Sequence, residues 1–111
     1  MPDPIDTPVL DELEEAVGAG FLAELIQTFL AEAPGMMADL QAGTDTGDAD
    51  GLRRAAHSLK SNANTFGAAV LAEAARKIEV DGLGASPDAA LAAVKDALEE
   101  ASTALRGRID A

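Results

Sequence analysis

A single histidine is surrounded by residue types that suit chemistry on an anion. His57 lies in the segment AHSLKSNANTFG, residues 56–67, and Lys60 and Ser61 follow it by three and four places. That spacing puts the three side chains on one face of a helix. A neutral imidazole is a nucleophile near pH 7, and a lysine ammonium can contact phosphoryl oxygens as a point charge. The pattern therefore suits a histidine that an anionic group approaches or becomes attached to.

Positive charge is concentrated in the same part of the chain. The formal net charge is −12, and residues 1–52 contain no lysine or arginine. Residues 53–77 contain a single acid, Glu73, and the cations Arg53, Arg54, Lys60, Arg76 and Lys77. An acidic chain is repelled by nucleic acid and by anionic membranes, so we expect neither as a partner. Charged residues most often simply form the solvent-exposed faces of helices, and this ordinary interpretation of the cluster stays open.

Other kinds of chemistry lack their usual residues. A zinc site needs three or four ligands, typically histidine, cysteine or carboxylate, and this chain has one histidine and no cysteine. Ser61 could lie near His57, but the sequence contains no nucleophile elbow, oxyanion-hole loop or P-loop pattern. We therefore expect no metal or cofactor of the chain's own and no self-sufficient enzyme. A structural histidine in the core remains to be weighed.

Composition favours one helical domain in the cytoplasm. The 111 residues suit one core, and 48% are hydrophobic, with alanine and leucine dominant and only three aromatic residues. The lack of cysteine excludes disulfides and fits an intracellular protein. The first residues, MPDPIDTPVL, do not resemble a signal peptide. No apolar run approaches the roughly 20 residues that a membrane span needs.

Helical periodicity predicts a short helix followed by four longer ones. We expect a flexible tail over residues 1–6 and one bundle domain over residues 7–111. Thr7 and Pro8 are typical of an N-cap and a first helical residue. The short helix that they begin should end near Val17, before a pair of glycines.

Glycine and proline signals separate the four longer helices. They are expected from Phe21 to about Gln41, from Asp48 or Asp50 to about Phe66, from Ala68 to Val80, and from Ser86 to about Leu105. Pro34 and Gly35 should kink or divide the first of these helices, and GTDTGD at 43–48 is typical of a turn. Short connections between helices of this length predict an all-α fold, an antiparallel four-helix bundle with a short extra N-terminal helix.

His57 falls on the polar face of its predicted helix. The apolar stripe of that helix centres about 140° from His57, at about 100° per residue, and consists of Leu52, Ala56, Leu59, Ala63 and Phe66. The polar residues within about 60° of His57 are Arg53, Arg54, Lys60, Ser61 and Asn64. A core histidine would share the leucine stripe, so the pattern disfavours a structural role for His57.

The segment AHSLKSNANTFGAAVLAEAARKIE, residues 56–79, resembles the signature of histidine-containing phosphotransfer (HPt) domains. That signature is a histidine, a leucine at +2, a lysine at +3, a small residue at +4, a glycine ten places on, then a leucine and a closing Leu/Ile-Glu pair. The matching residues are His57, Leu59, Lys60, Ser61, Gly67, Leu71, Ile78 and Glu79. The earlier segment ELIQTFLAEAP is also similar to the family, and the resemblance covers about residues 9–105.

The resemblance implies a phosphocarrier. His57 would accept a phosphoryl group, through Nε2, from the aspartate of a response-regulator receiver domain and pass it to another, and some members exchange it with a histidine kinase or hybrid kinase. Lys60 would steady the phosphoryl oxygens, while Ser61 and Gly67 would leave room for the partner. The partner receiver would supply Mg²⁺ and an acidic pocket. The face that meets the partner would also include Arg53, Arg54 and Asn64.

Two positions depart from the commonest family pattern. Ser61 stands where many members have glycine, and both residues are small. Glu79 stands where some members place a glutamine near the histidine, and we interpret it as structural, paired with Arg76 or a backbone group. A non-catalytic helical adaptor is the alternative function, which the acidic first half of the chain would serve as a docking surface. We expect a monomer, because one bundle can close its own core.

Overall fold

The chain folds into five helices and, over the residues described, no strand. The computed structural model describes residues 3–110. The helices are α1 (Thr7–Val17), α2 (Ala19–Thr46), α3 (Ala49–Thr65), α4 (Ala69–Asp81) and α5 (Pro87–Asp110). Helix α3 packs against α2 and α4, α5 packs against α2 and α4, and α1 lies across α2 and α3. The predicted all-α bundle with a short extra N-terminal helix is confirmed.

Alanine and leucine build most of the core. Small alanines lie where helices approach one another, and Ala56, Ala63 and Ala75 are fully buried. Phe29 of α2 and Phe66, at the end of α3, place their ring centroids 5.3 Å apart, a separation typical of favourable aromatic pairs. The largest fully buried side chains are Leu22, Ile26, Leu40, Leu59, Leu71, Ile78, Val94 and Leu105.

Helix α2 is longer than predicted and is not divided. It continues through Pro34 to Thr46. The turn predicted over residues 43–48 is therefore confined to Gly47 and Asp48. Proline removes one helical hydrogen bond, but Ala33 and Leu40 are both buried and hold the two halves against the same core. The helix ends at Gly47, which adopts the left-handed conformation at φ 70° that glycine tolerates best.

The end of the predicted flexible tail is packed against the bundle. Ile5 is only 7% exposed and belongs to the core. The backbone N–H of Asp6 donates a 2.6 Å hydrogen bond to the carbonyl of Gly67, and Asp6, rather than Thr7, occupies the N-cap position of α1. A flexible segment therefore does not extend to Ile5 and Asp6, because apolar burial and a backbone hydrogen bond hold them. Met1 and Pro2 lie outside the described residues.

The start of α3 follows the sequence signal. Asp48 caps the helix, and its Oδ1 accepts a 2.9 Å hydrogen bond from the N–H of Gly51. This cap sets where the helix begins. Within residues 3–110 no single helix is long and apolar enough to cross a membrane, although α1 and α2, bent by 119°, meet that test of length and composition together.

Candidate functional site

His57 lies on the solvent side of α3, as the helical pattern predicts. Its side chain is 63% exposed, whereas Ala56 and Leu59 on either side of it in sequence are fully buried. The core interpretation of this histidine is therefore wrong. The side chain borders a shallow cleft of about 500 Å³, which Arg53, Arg54 and Glu79 also line.

Glu79 joins His57 and Lys60 across the α3–α4 hairpin. Its Oε2 is hydrogen-bonded to Nδ1 of His57, 22 residues earlier. Its Oε1 accepts a 2.6 Å hydrogen bond from Nζ of Lys60. The Glu79 side chain is 15% exposed, so both contacts form in a partly desolvated position, where charged hydrogen bonds are stronger than in water.

This arrangement selects one nitrogen of the imidazole for chemistry. An ionised carboxylate only accepts hydrogen bonds. Nδ1 of His57 must therefore carry a proton and donate a hydrogen bond to Glu79. In the neutral ring that tautomer leaves the lone pair on Nε2. Because the ring is exposed, the lone pair on Nε2 is the one that can attack an incoming group.

The carboxylate of Glu79 is stabilised in its charged form. The hydrogen bond from Lys60 lowers its pKa below the usual value, and the hydrogen bond from His57 acts in the same direction, while desolvation opposes both. The site therefore holds a fixed negative charge behind the imidazole at neutral pH, with a lysine beside it.

The partner predicted for Glu79 was wrong. Arg76 instead makes a two-pronged pair with Glu73, with contacts of 2.7 and 2.8 Å, and Glu79 turns towards α3. The sequence did contain a usable signal. In a helical hairpin, residues at similar distances before and after the turn face each other, and His57 and Glu79 flank the Gly67 turn in this way.

The other predicted residues divide into two groups. Ser61 and Asn64 are exposed on α3 on the same side as His57. Arg53 and Arg54 are exposed as well, and Arg53 pairs with Asp50 at 3.2 Å. The structure thus brings these four residues to one surface with the phosphoacceptor candidate.

Gly67 belongs to the second group, because it is buried at the turn between α3 and α4. Its φ of 72° suits glycine, and a Cβ added there would lie 2.8 Å from the carbonyl oxygen of Asp6 and 3.0 Å from Cβ of Val9. The close approach of the N-terminal segment thus gives Gly67 a packing role at the hairpin, away from the exposed face of α3 that contains His57.

The described residues contain no group of three or more histidine, cysteine or carboxylate side chains placed to hold a metal ion. The chemistry that His57, Glu79 and Lys60 can perform is nucleophilic attack by the imidazole, supported by one carboxylate and one ammonium group.

Comparison with known proteins places this geometry in a family. The model of the Hpt domain matches residues 24–104. The chain belongs to the Hpt domain family. Proteins of this family are phosphocarriers of phosphorelays, which interact with receiver domains and histidine kinases. The histidine phosphotransfer function predicted from the residues around His57 is confirmed at the level of the family.

A solved structure has the same fold. The crystal structure of histidine-containing phosphotransfer protein B (HptB) from Pseudomonas aeruginosa PAO1 superposes with a TM-score of 0.90 at 24% sequence identity. The match covers 99% of this chain and 97% of that chain, so the extra helix α1 is part of the shared architecture. No curated protein matches the chain.

Proposed function

We propose that this Hpt protein carries a phosphoryl group on Nε2 of His57, between the aspartates of receiver domains or between such an aspartate and a hybrid histidine kinase. The observation that carries the proposal is the exposed imidazole of His57, held through Nδ1 by Glu79. Lys60 contacts the same carboxylate from the neighbouring turn. These three side chains form one half of a phosphotransfer site.

The transfer step follows from the tautomer of His57. The Nε2 lone pair attacks the phosphorus of an aspartyl phosphate on the partner, the N–P bond forms, and the acyl-phosphate P–O bond breaks. The aspartate leaves as a carboxylate. The imidazole ring gains positive charge during attack, and the Glu79 carboxylate on Nδ1–H stabilises that charge while orienting the ring.

Lys60 has two positions available to it. In the unphosphorylated protein its ammonium group lies on Glu79 at 2.6 Å, and its side chain is 25% exposed. Its flexible stem allows the same ammonium to turn towards phosphoryl oxygens on Nε2. Lys60 would then stabilise the phosphorylated form and return to Glu79 after transfer.

The remaining components are expected from the partner. Mg²⁺ and the acidic pocket would come with the receiver domain, and this chain would act stoichiometrically, without an ATP or metal site of its own. Arg53, Arg54, Ser61 and Asn64 would form the face that meets this pocket. A monomer and a cytoplasmic location stay predictions from the sequence.

A non-catalytic adaptor is the second candidate function. It is favoured by the acidic first half of the chain, where residues 1–52 contain no cation. An adaptor would bind its partner and signal equally well without an imidazole at position 57.

One experiment separates the two. Purified receiver domains, phosphorylated with acetyl phosphate in the presence of Mg²⁺, are mixed with the wild-type chain and with His57→Gln. We expect the wild type to acquire an acid-labile, base-stable phosphate and the variant to acquire none. Equal phosphorylation of the variant would rule out His57 as the acceptor, and unchanged partner affinity and signalling in His57→Ala would favour the adaptor.

A further inference from the structure

Arg54 differs from the other cations of the site in its ion pairing. Arg53 Nη2 lies 3.2 Å from Asp50 Oδ1, and Lys60 is paired with the carboxylate of Glu79. Over residues 3–110 no carboxylate lies within salt-bridge distance of Arg54. A paired cation and its carboxylate largely cancel at a distance, so Arg54 is the arginine beside His57 whose charge no ion pair within residues 3–110 cancels.

Arg54 lies on the side of His57 that faces α2. Its side chain lines the cleft that contains His57, and it also lines a groove of about 410 Å³ between α2 and α3. Lys60 and Glu79 lie on the other flank, where α3 meets α4. Arg54 is therefore the cation on the α2 flank of His57.

The groove on that flank is otherwise acidic. Asp39 of α2 and Asp48 at the start of α3 both line it, together with the hydroxyl-bearing Ser58. These two carboxylates would repel a partner whose own contact surface is acidic, and among the described lining residues Arg54 alone opposes them. Replacing Arg54 by glutamate would remove the one attractive charge on this flank and add a third repulsive one.

We propose that Arg54 is a specificity-determining residue for phosphotransfer, selecting receiver domains that carry a carboxylate at the rim of their phosphorylation pocket. The inference rests on the proposed function, because it assumes that an acidic partner docks at His57. Arg54 acts by steering and holding the partner, whereas His57 and Lys60 act on the phosphoryl group and Glu79 positions His57. Charges at the rim of an interface act mainly on association rate and on its dependence on salt.

The test measures the initial rate of phosphotransfer against receiver concentration, with receivers loaded from acetyl phosphate and Mg²⁺. The variants are Arg54→Glu, Arg53→Glu and Arg106→Glu. Arg106 is the matched control, because it is an exposed arginine on α5, which does not contact α3 within the described residues. All three variants change the net charge equally.

Arg54→Glu should raise the half-saturating receiver concentration about 10-fold at about 50 mM salt and about twofold or less at about 500 mM salt. The rate at saturation should be unchanged, which separates docking from chemistry. Arg53→Glu should have a smaller effect on half-saturation, and Arg106→Glu should differ from wild type by less than about twofold. Asp39→Asn should act in the opposite direction and lower half-saturation by about twofold.

Three outcomes would overturn the inference. Arg54→Glu could react like wild type at every receiver concentration, or Arg106→Glu could lose as much as Arg54→Glu, which would reduce the effect to net charge. A fall in the saturated rate alone would also contradict it, because Arg54 would then act on chemistry. If no receiver phosphorylates the wild-type protein, the proposed function fails first, and that result is distinct from the other three.

Discussion

His57 and Glu79 are separated by 22 residues, yet Nδ1 of the imidazole donates to Oε2 of the carboxylate across the α3–α4 hairpin. The contact fixes the tautomer of the ring and leaves the lone pair on Nε2 for the proposed phosphoryl transfer. It also places a negative charge where the imidazole becomes positive during attack. Glu79 is therefore a positioning residue for the proposed phosphotransfer.

Replacing Glu79 by glutamine should slow phosphoryl transfer to His57 by about 10-fold or more, since oriented proton-bearing pairs typically contribute at least that much. The saturated rate should fall while the half-saturating receiver concentration stays unchanged. Nitrogen chemical shifts of the imidazole should show a greater share of the other tautomer. Glu73→Gln is the matched control, because Glu73 is an exposed carboxylate on the same helix whose one ion-pair partner within residues 3–110 is Arg76. Equal losses in the two variants would contradict a specific role for Glu79.

Replacing Lys60 by alanine should slow transfer and shorten the lifetime of the phosphohistidine, because the phosphoryl oxygens lose their cation. The fold should survive, because Lys60 is not part of the buried apolar core and Glu79 keeps its hydrogen bond to His57. The measurements are the transfer rate, the decay of phosphohistidine and the thermal midpoint. Lys77→Ala removes an exposed lysine from the far side of α4 and should match wild type in all three.

Replacing Gly67 by alanine should destabilise the protein without changing its chemistry. The new Cβ would adopt a φ of 72° and lie 2.8 Å from the carbonyl oxygen of Asp6. Gly84→Ala is the control, because Gly84 has a φ of 70° but nothing within 4 Å of a new Cβ. The left-handed conformation alone costs about 1–2 kcal/mol, so urea unfolding should show a larger loss for Gly67→Ala. Equal losses would show that the N-terminal segment yields freely.

The stability of the fold should depend on Glu79 only above its titration range. Its pKa in the folded protein lies below the usual 4.5, chiefly because of the hydrogen bond from Lys60. A depressed folded pKa contributes stability that is present above 4.5 and lost as the pH falls through the folded value. Wild type should therefore unfold at a higher urea concentration than Glu79→Gln at pH 7, and the difference should shrink below pH 4.5. A difference that grows on acidification would contradict this assignment.

Local patterns predicted most of the fold because helix formation depends on nearby residues. The spacing of Leu52, Ala56 and Leu59 placed His57 on the polar face, and its side chain is exposed. Asp48 was one of two caps considered for α3, and it makes the capping hydrogen bond. The errors occurred where distant packing outweighed a local signal. Helix α2 continues past the predicted end near Gln41 to Thr46, and Ile5 became part of the core.

The helical face that His57 and Lys60 share was readable from spacing alone, because residues three and four apart in a helix are neighbours. The phosphoryl roles expected of the two residues came from the resemblance to the HPt family. The partners of these side chains were not readable from spacing alone. Glu79 meets His57 and Lys60 only after the Gly67 turn sets the register of α4 against α3. Within residues 3–110, Arg54 stays unpaired because no carboxylate of α2 or of the start of α3 lies within salt-bridge distance of it. Hydrogen bonds and ion pairs act over a few ångströms, so the tertiary arrangement of the helices decides which charges neutralise one another and which remain available to a partner.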